Sequence, residues 1–250
     1  MIDAFTPRGL VLLGRFLSRP ALLAFDLDGT LAPIRADPAA VEVRPETRRL
    51  LAALCAARPC AVVTGRPRRD ALRLLRGTGL ELVVGSHGAE WPGEPVPAKW
   101  RRQVASWRRA LATALEGLPG VRFEAKPAAL SVHYRRCRDR AAALRAIESA
   151  ARLLPGCRLA RGLLVVNLAP QGAPDKGAAL RRAARELGLG RALYVGDDEG
   201  DEDAFAARGL EVLGVRIGRR RRSRAALCLS GQRRLDSLLS ALLGASGRRD

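Results

Sequence analysis

The stretch Ala21 to Leu31, reading ALLAFDLDGTL, constrains this chain more than any other. An apolar run of strand length delivers two carboxylates, Asp26 and Asp28, to its carboxyl end, and Gly29-Thr30 then breaks the extended pattern. Side chains two apart on a strand point the same way, so Asp26 and Asp28 can address one small volume. One such carboxylate can attack a phosphoryl group while the other serves as acid and base, and both can help hold a hard cation. Asp and Gly are also ordinary turn residues, so a plain strand followed by an Asx turn competes with this reading until other motifs decide it.

The same pattern recurs. Cys60 to Val63 is a second buried strand, ending in Thr64-Gly65-Arg66-Pro67; residues 81 to 84 form a third, followed by Gly85-Ser86-His87-Gly88; residues 192 to 195 form another, followed by acids. Helices are expected at 7–18, 46–57, from Pro67 to about Arg76, at 175–187, from Asp201 to Ala207, and at 232–243, with further strands at 210–215 and 225–229. Pro33, Pro38 and Pro45 make the stretch after the first strand irregular, in the manner of a flap. Strands separated by helices imply an α/β fold, a doubly wound parallel sheet of Rossmann-like type, whose ligands bind at the carboxyl ends of the strands.

Between these halves the pattern changes. Pro92, Pro95 and Pro97 mark a boundary, and residues 94–166 read as an inserted α+β cap, with helices at 99–115 and 139–154 and short strands at 121–125, 129–134, 157–160 and 163–168. The expected division is therefore a core of 1–93 and 167–250 and a cap of 94–166.

Composition excludes several classes. With 250 residues, 48% of them hydrophobic, the chain can bury a substantial core. No apolar run approaches a membrane span, Gly9 to Leu13 being closely bracketed by Arg8 and Arg15, and no signal peptide is evident. Five scattered cysteines lack zinc-site spacing and read as reduced thiols of a cytoplasmic protein. A net charge of +19 invites a nucleic-acid reading. The arginines are nevertheless scattered over helix faces, only Arg219 to Arg222 forms a run, and few aromatics are present for base stacking, so neither nucleic acid nor membrane is an expected partner.

Six of the chain's 25 acidic residues fall between Asp197 and Asp203, directly after a strand. Carboxylates about 4 Å apart repel by about 4 kcal/mol at an effective dielectric of 20, so such a cluster near Asp26 calls for a cation or for protonation. Magnesium suits an all-oxygen donor set with a phosphate co-ligand. An acidic helix start facing solvent is the simpler alternative. Thr64 offers a hydroxyl, and Lys176 at a helix start offers an ammonium to an anion. His87 and His133, the only histidines, read as hydrogen-bonding residues rather than catalytic ones.

Nucleophile, hydroxyl, lysine and acid cluster, each after a strand and in that order, resemble the four motifs of the haloacid dehalogenase superfamily: Asp26-Leu27-Asp28-Gly29-Thr30, Val63-Thr64-Gly65-Arg66, Lys176-Gly177 and Gly196-Asp197-Asp198. Gly85-Ser86-His87-Gly88-Ala89-Glu90, Ser131-Val132-His133-Tyr134-Arg135 and Asp201-Glu202-Asp203-Ala204-Phe205 narrow the resemblance to trehalose-6-phosphate phosphatases, from about residue 20 to 230. That resemblance implies hydrolysis of trehalose 6-phosphate through an aspartyl-phosphate on Asp26, with Asp28 as acid and base. It implies Mg2+ held by Asp26, the Asp28 carbonyl and Asp197, with Asp198 and Asp201 in support. Thr64 and Lys176 would neutralise phosphoryl oxygens. Arg66, His87, Glu124, Lys126 and Arg135 would face the sugar phosphate. The family's Gly-Lys-x-x-x-Glu strand reads Gly162-Leu163-Leu164-Val165-Val166-Asn167 here, so two charged sugar contacts are replaced, and the Thr before Asp201 is Gly200. Another sugar phosphate is therefore the alternative substrate, and a phospho-acceptor signalling domain the alternative class; Asp28 and the cap argue against the latter.

Overall fold

The computed structural model describes residues 1–35, 40–80, 82–162, 164–220 and 222–244. Pro38 of the expected flap, Glu81 of the third strand, Leu163 of the cap and Arg221 of the arginine run lie outside them.

Four strands with almost unbroken apolar sequence, β2 (Leu22–Phe25), β3 (Cys60–Val63), β4 (Leu82–Val84) and β9 (Arg191–Gly196), pair in parallel with β10 (Glu211–Ile217), β11 (Leu227–Leu229) and β1 (Ile2–Asp3). The sheet has seven strands in the order β1-β11-β10-β9-β2-β3-β4. Strand β1 was not expected, since two residues carry no periodicity; it exists because it lies alongside β11. All four residues of β2 are fully buried, as a strand covered on both faces must be. Its alternation splits the core in two. Leu23 and Phe25 pack with α1 (Pro7–Leu17), α2 (Pro45–Ala57), α3 (Arg68–Leu74) and α8 (Leu235–Gly244). Leu22 and Ala24 pack with α6 (Lys176–Glu186) and α7 (Asp201–Phe205).

Strand order reverses between β2 and β9: from β2 the chain winds one way to β3 and β4, and from β9 the other way to β10 and β11. A crevice opens at such a switch point, outside the carboxyl ends of the strands. Asp26 follows β2 and Asp197 follows β9, so both acids flank it.

A second sheet of four antiparallel strands, in the order β5-β6-β8-β7, comprises β5 (Arg122–Lys126), β6 (Ala129–His133), β7 (Cys157–Gly162) and β8 (Val165–Pro170). One face packs Leu130, Val132, Val166 and Leu168 against α4 (Ala98–Ala114) and α5 (Arg140–Arg152). The opposite face carries Glu124, Ser131 and Asn167 in one row, continued by Ala160. The expected division at 166/167 falls inside β8, because its pairing with β7 runs on to Pro170. Among the described residues no helix is long and apolar enough to cross a membrane.

Candidate active site

Asp26 leaves β2 on the side that faces α6, where Lys176 stands at the first helical position. Asp26 is 4% exposed, and its carboxylate lies 3.0 Å from the Lys176 ammonium. Lys176, 2% exposed, is also 2.7 Å from Asp201 Oδ1 and 3.7 Å from Asp198 Oδ1. Burial works against the lysine's charge, but the three carboxylates outweigh it and hold its pKa well above the usual value. Asp175 caps α6 by accepting from the Ala178 N–H at 2.7 Å, which fixes the helix start that presents Lys176.

Asp201 is the node of the acidic loop. Its Oδ1 accepts from Lys176 and from the Tyr194 hydroxyl at 2.8 Å; its Oδ2 accepts from the backbone N–H groups of Asp197 at 2.7 Å and Asp198 at 2.9 Å. Four donors occupy the lone pairs of this carboxylate. Gly196 has to be glycine, because a Cβ there would run into the Asp201 carboxyl group, and at Gly29, where φ is +81°, a Cβ would run into that of Asp197.

Asp26, Asp197 and Asp201 each bring a carboxylate oxygen within 4.8 Å of the others. Burial, reinforced by Asp201 and Asp198, pushes the Asp197 carboxyl up to about 7. Burial likewise raises Asp26 well above the carboxylate range, with Lys176 opposing. Asp201 is pushed up to about 6 by burial, again against Lys176. In Asp198 the upward push of burial is overcome, chiefly by Lys176, and its pKa falls to about 2. Crowded buried acids that hold protons in this way suit a hard divalent cation, and the donors are all oxygen. Since Asp201 is saturated, Asp26 and Asp197 are the carboxylates with oxygens to give. The Thr30 hydroxyl donates to Asp197 Oδ1 at 3.2 Å and steadies it.

Thr64 follows β3 and is fully buried, its hydroxyl accepting from the Arg66 N–H at 3.1 Å. Arg66 clamps Asp28 through two bonds, Nε to Oδ2 at 2.7 Å and a terminal nitrogen to Oδ1 at 2.6 Å. The guanidinium expected to face substrate therefore grips the second aspartate of the first motif. Ser86 and His87 both take left-handed backbone, φ 48° and 57°, held by Ser86 N–H to Arg66 O at 2.8 Å and His87 N–H to Thr64 O at 2.9 Å. The strain brings the His87 ring against Gly65, where a Cβ would lie 2.6 Å from Cε1. Burial, with Lys126 and Lys176 nearby, lowers the His87 pKa to about 3, so the ring is neutral.

The cap lowers a polar sheet face over this crevice. Glu124 accepts from His133 Nε2 at 2.9 Å and lies 3.6 Å from the Lys126 ammonium. The bond from His133 and the charge of Lys126 overcome burial and lower the Glu124 carboxyl to about 2. Ser131 donates to Asn167 Oδ1 at 2.6 Å. These residues, the exposed Arg135 and the core residues Asp26, Asp28, Arg66 and Lys176 all line one cleft of about 860 Å³.

Two side chains that sequence reasoning missed hold the acidic loop. Arg216 of β10, buried at 6% exposure, donates to the carbonyls of Asp197 and of Asp198, the latter at 2.9 Å, and to Glu202 at 2.8 Å. Tyr194 donates to Asp201 as described. A signal existed for both, since a lone arginine or tyrosine in a strand of buried apolar residues demands a partner.

Comparison with known proteins follows the same lines. A family model described as trehalose-phosphatase matches residues 24–219. A trehalose 6-phosphate phosphatase of Zea mays is 32% identical over 236 residues, covering 83% of this chain and 64% of that protein. The trehalose-phosphate phosphatase of Mycobacterium marinum is 34% identical over 220 residues, covering 81% and 56%. The chain thus spans less than two thirds of the length of these curated relatives. A crystal structure of a trehalose-6-phosphate phosphatase related protein superposes with a TM-score of 0.72 at 25% identity, covering 92% of this chain and 100% of that one.

Proposed function

The chain belongs to the trehalose-phosphatase family, and from that premise we propose that it hydrolyses trehalose 6-phosphate to trehalose and phosphate through a phosphoryl group held transiently on Asp26. One observation carries the reading: the four motifs meet at a single crevice, with the Asp26 carboxylate 3.0 Å from a buried lysine and beside two further acids.

A carboxylate oxygen of Asp26 attacks phosphorus, and the bond from phosphorus to the sugar oxygen breaks. The sugar oxygen takes a proton from Asp28. Water then attacks phosphorus, giving its proton to Asp28, and the bond to Asp26 breaks. Lys176 and the Thr64 hydroxyl stabilise charge on the phosphoryl oxygens, where preorganised donors act most strongly. Asp28 is gripped by Arg66 in this structure, so Arg66 must release or share it when substrate arrives. A magnesium ion held by Asp26 and Asp197, with Asp198 near, would supply neutralisation of phosphoryl charge. Asp201 then acts as a positioning residue that holds the loop carrying Asp197 and Asp198.

The core would carry the chemistry and the cap the selection, with Glu124, Lys126 and Arg135 binding the sugar and His87 contributing a neutral ring. A different sugar phosphate is the second reading, favoured by Asn167, whose carbonyl is committed to Ser131. Family membership and a cleft roofed by the cap favour turnover over a stored phosphoryl group. The test is phosphate release from trehalose 6-phosphate beside glucose 6-phosphate, sucrose 6-phosphate and an aryl phosphate, each with magnesium or chelator. Selective, magnesium-dependent release from trehalose 6-phosphate is expected. Preference for another sugar would overturn the substrate, and a phospho-form lasting minutes would overturn the reaction.

A further inference from the structure

Charge is divided unevenly between core and cap. Residues 94–170 hold fifteen basic and five acidic side chains, so the cap carries ten of the nineteen net positive charges on less than a third of the chain. Four of those five acids are engaged: Glu94 with Arg182, Glu124 with His133, Asp139 as the cap of α5, and Glu148 with Arg161. Helix α4 has no acid at all.

The excess gathers along one trench on the outside of the cap. A groove of about 540 Å³ runs between α4 and β5, with Val104, Ala105, Ala112 and Ala125 in its floor and Arg101, Arg108 and Arg109 on its rim. At Arg101 and Pro127 it meets a second groove, of about 1150 Å³, which continues past the linker to α3 and adds Arg69 and Arg76. The acids that line this second groove are engaged, Asp70 with Arg73, Glu90 with Ser86 and Glu94 with Arg182. Among the described residues the five arginines have no carboxylate partner.

Strand β5 is the edge of the cap sheet, with β6 on one side and, among the described residues, no strand on the other. An edge of this kind offers backbone N–H and C=O groups to a further extended segment. Side chains on one side of such a segment recur about every 7 Å. Arg101 and Arg108, seven residues apart on α4, stand about 10 Å apart, so acids at alternate positions fall within their reach.

Three occupants compete for this trench. Nucleic acid would bring phosphates, but the one aromatic ring in either groove, Trp91, is 7% exposed and already stacked with Arg182 at 4.0 Å, so no ring is left for a base. A second copy of the chain would set +19 against +19. An acidic protein segment answers both features, its carboxylates meeting the guanidinium forks and its backbone the open edge.

We propose that the trench between α4 and β5 is a docking site for an extended acidic segment of a partner protein, which adds to the cap sheet beside β5 and lays its carboxylates against Arg101, Arg108 and Arg109. Lys126 lines both this groove and the reaction cleft, so the partner sits one side chain away from the cleft.

The probe is a labelled ten-residue peptide, (Glu-Val)5, whose binding to the full chain is read by fluorescence anisotropy at about 150 mM salt. Binding is measured rather than turnover, so the outcome is independent of the sugar-phosphatase reading. The triple variant Arg101→Ser, Arg108→Ser, Arg109→Ser is expected to bind at least about tenfold more weakly, with thermal melting to confirm that it folds. A peptide of equal charge that cannot pair as a strand, (Glu-Pro)5, should bind at least about fivefold more weakly than (Glu-Val)5, and bound (Glu-Val)5 should slow amide exchange in residues 122–126. Equal binding of (Glu-Pro)5 or of a ten-nucleotide oligothymidylate would reduce the trench to general charge attraction and overturn the proposal. Absence of (Glu-Val)5 binding, unchanged affinity in the triple variant, or self-association of the chain that the peptide does not displace would overturn it as well. Should the triple variant not fold, Ala105→Glu, at an exposed position of the groove, is measured in the same way, and unchanged affinity overturns the proposal.

Discussion

The carboxyl end of the parallel sheet and the underside of the cap are both lined with charges, yet they hold them differently. At the sheet, Lys176 and Asp201 are all but sealed from solvent, and each bonds to several partners. Under the cap, the Glu124 side chain is 47% exposed and joins His133 of the neighbouring strand to Lys126, two residues along its own strand. A buried network in a low dielectric is rigid and expensive to disturb, whereas a half-solvated one is screened and adjustable. Chemistry needs the first property. Recognition of a sugar with many hydroxyls can use the second.

The largest effect should come from Asp26, the proposed nucleophile. Asp26→Asn is expected to lower phosphate release by at least about a thousandfold while leaving the protein folded; activity within tenfold of wild type would remove the covalent step. Next, the two lysines can be set against each other. Lys176→Met leaves buried carboxylates without their cation and should cost about 3–5 kcal/mol in urea unfolding, while Lys126→Met, whose 10%-exposed side chain meets one half-exposed glutamate, should cost about 1–2 kcal/mol. Equal costs would break the contrast.

The two regions should also titrate in separate windows. Asp197 has a folded pKa of about 7, above its ordinary value of 3.8, so its contribution to stability is full at low pH and is lost as pH rises between these values. Glu124 has a folded pKa of about 2, below its ordinary 4.5, so its contribution is present above that value and is lost as pH falls toward 2. With chelator, Tm should therefore fall from about pH 4 to pH 7, and magnesium should flatten that slope. Glu124→Gln should change only the acid limb. A magnesium-insensitive profile would count against the cation site.

Smaller again, Lys126→Ala should raise KM about tenfold, more than it lowers kcat, as loss of a charged substrate contact would; a change confined to kcat would move Lys126 into the chemistry. Smallest is Tyr194→Phe, which removes one of four donors to Asp201 and should cost about 1 kcal/mol of stability. No measurable change would mean that the phenol does not tighten the node.

Much of the core could be read from the chain before it was folded. Asp26, Thr64 and Asp197 each follow an apolar run, and burial on both faces of a parallel sheet forces such runs, so the ends of the strands announce themselves. Arg216 could not be placed in this way. It reaches the loop after β9 only because β10 lies beside β9 with Arg216 opposite Gly196, a neighbour relation that no local pattern encodes. Arg66 was expected at the substrate, and its hold on Asp28, 38 residues away, depends on β2 and β3 being adjacent. In the cap, helices and strands stand within two residues of where the pattern places them. Its boundary was not legible, because β8 carries on past the expected division while partners on both sides continue to pair with it.

What the sequence determined by itself is the alternation of strand and helix, the motif residues at the strand ends and the polar character of the cleft, because each follows from local periodicity and residue chemistry. Tertiary structure alone decided which strands are neighbours, that Asp201 is saturated while Asp26 and Asp197 keep free oxygens, and that Glu124, Ser131, Asn167 and Ala160 form one row. Those facts depend on register between segments far apart in the chain, and register is set by the packing of the whole.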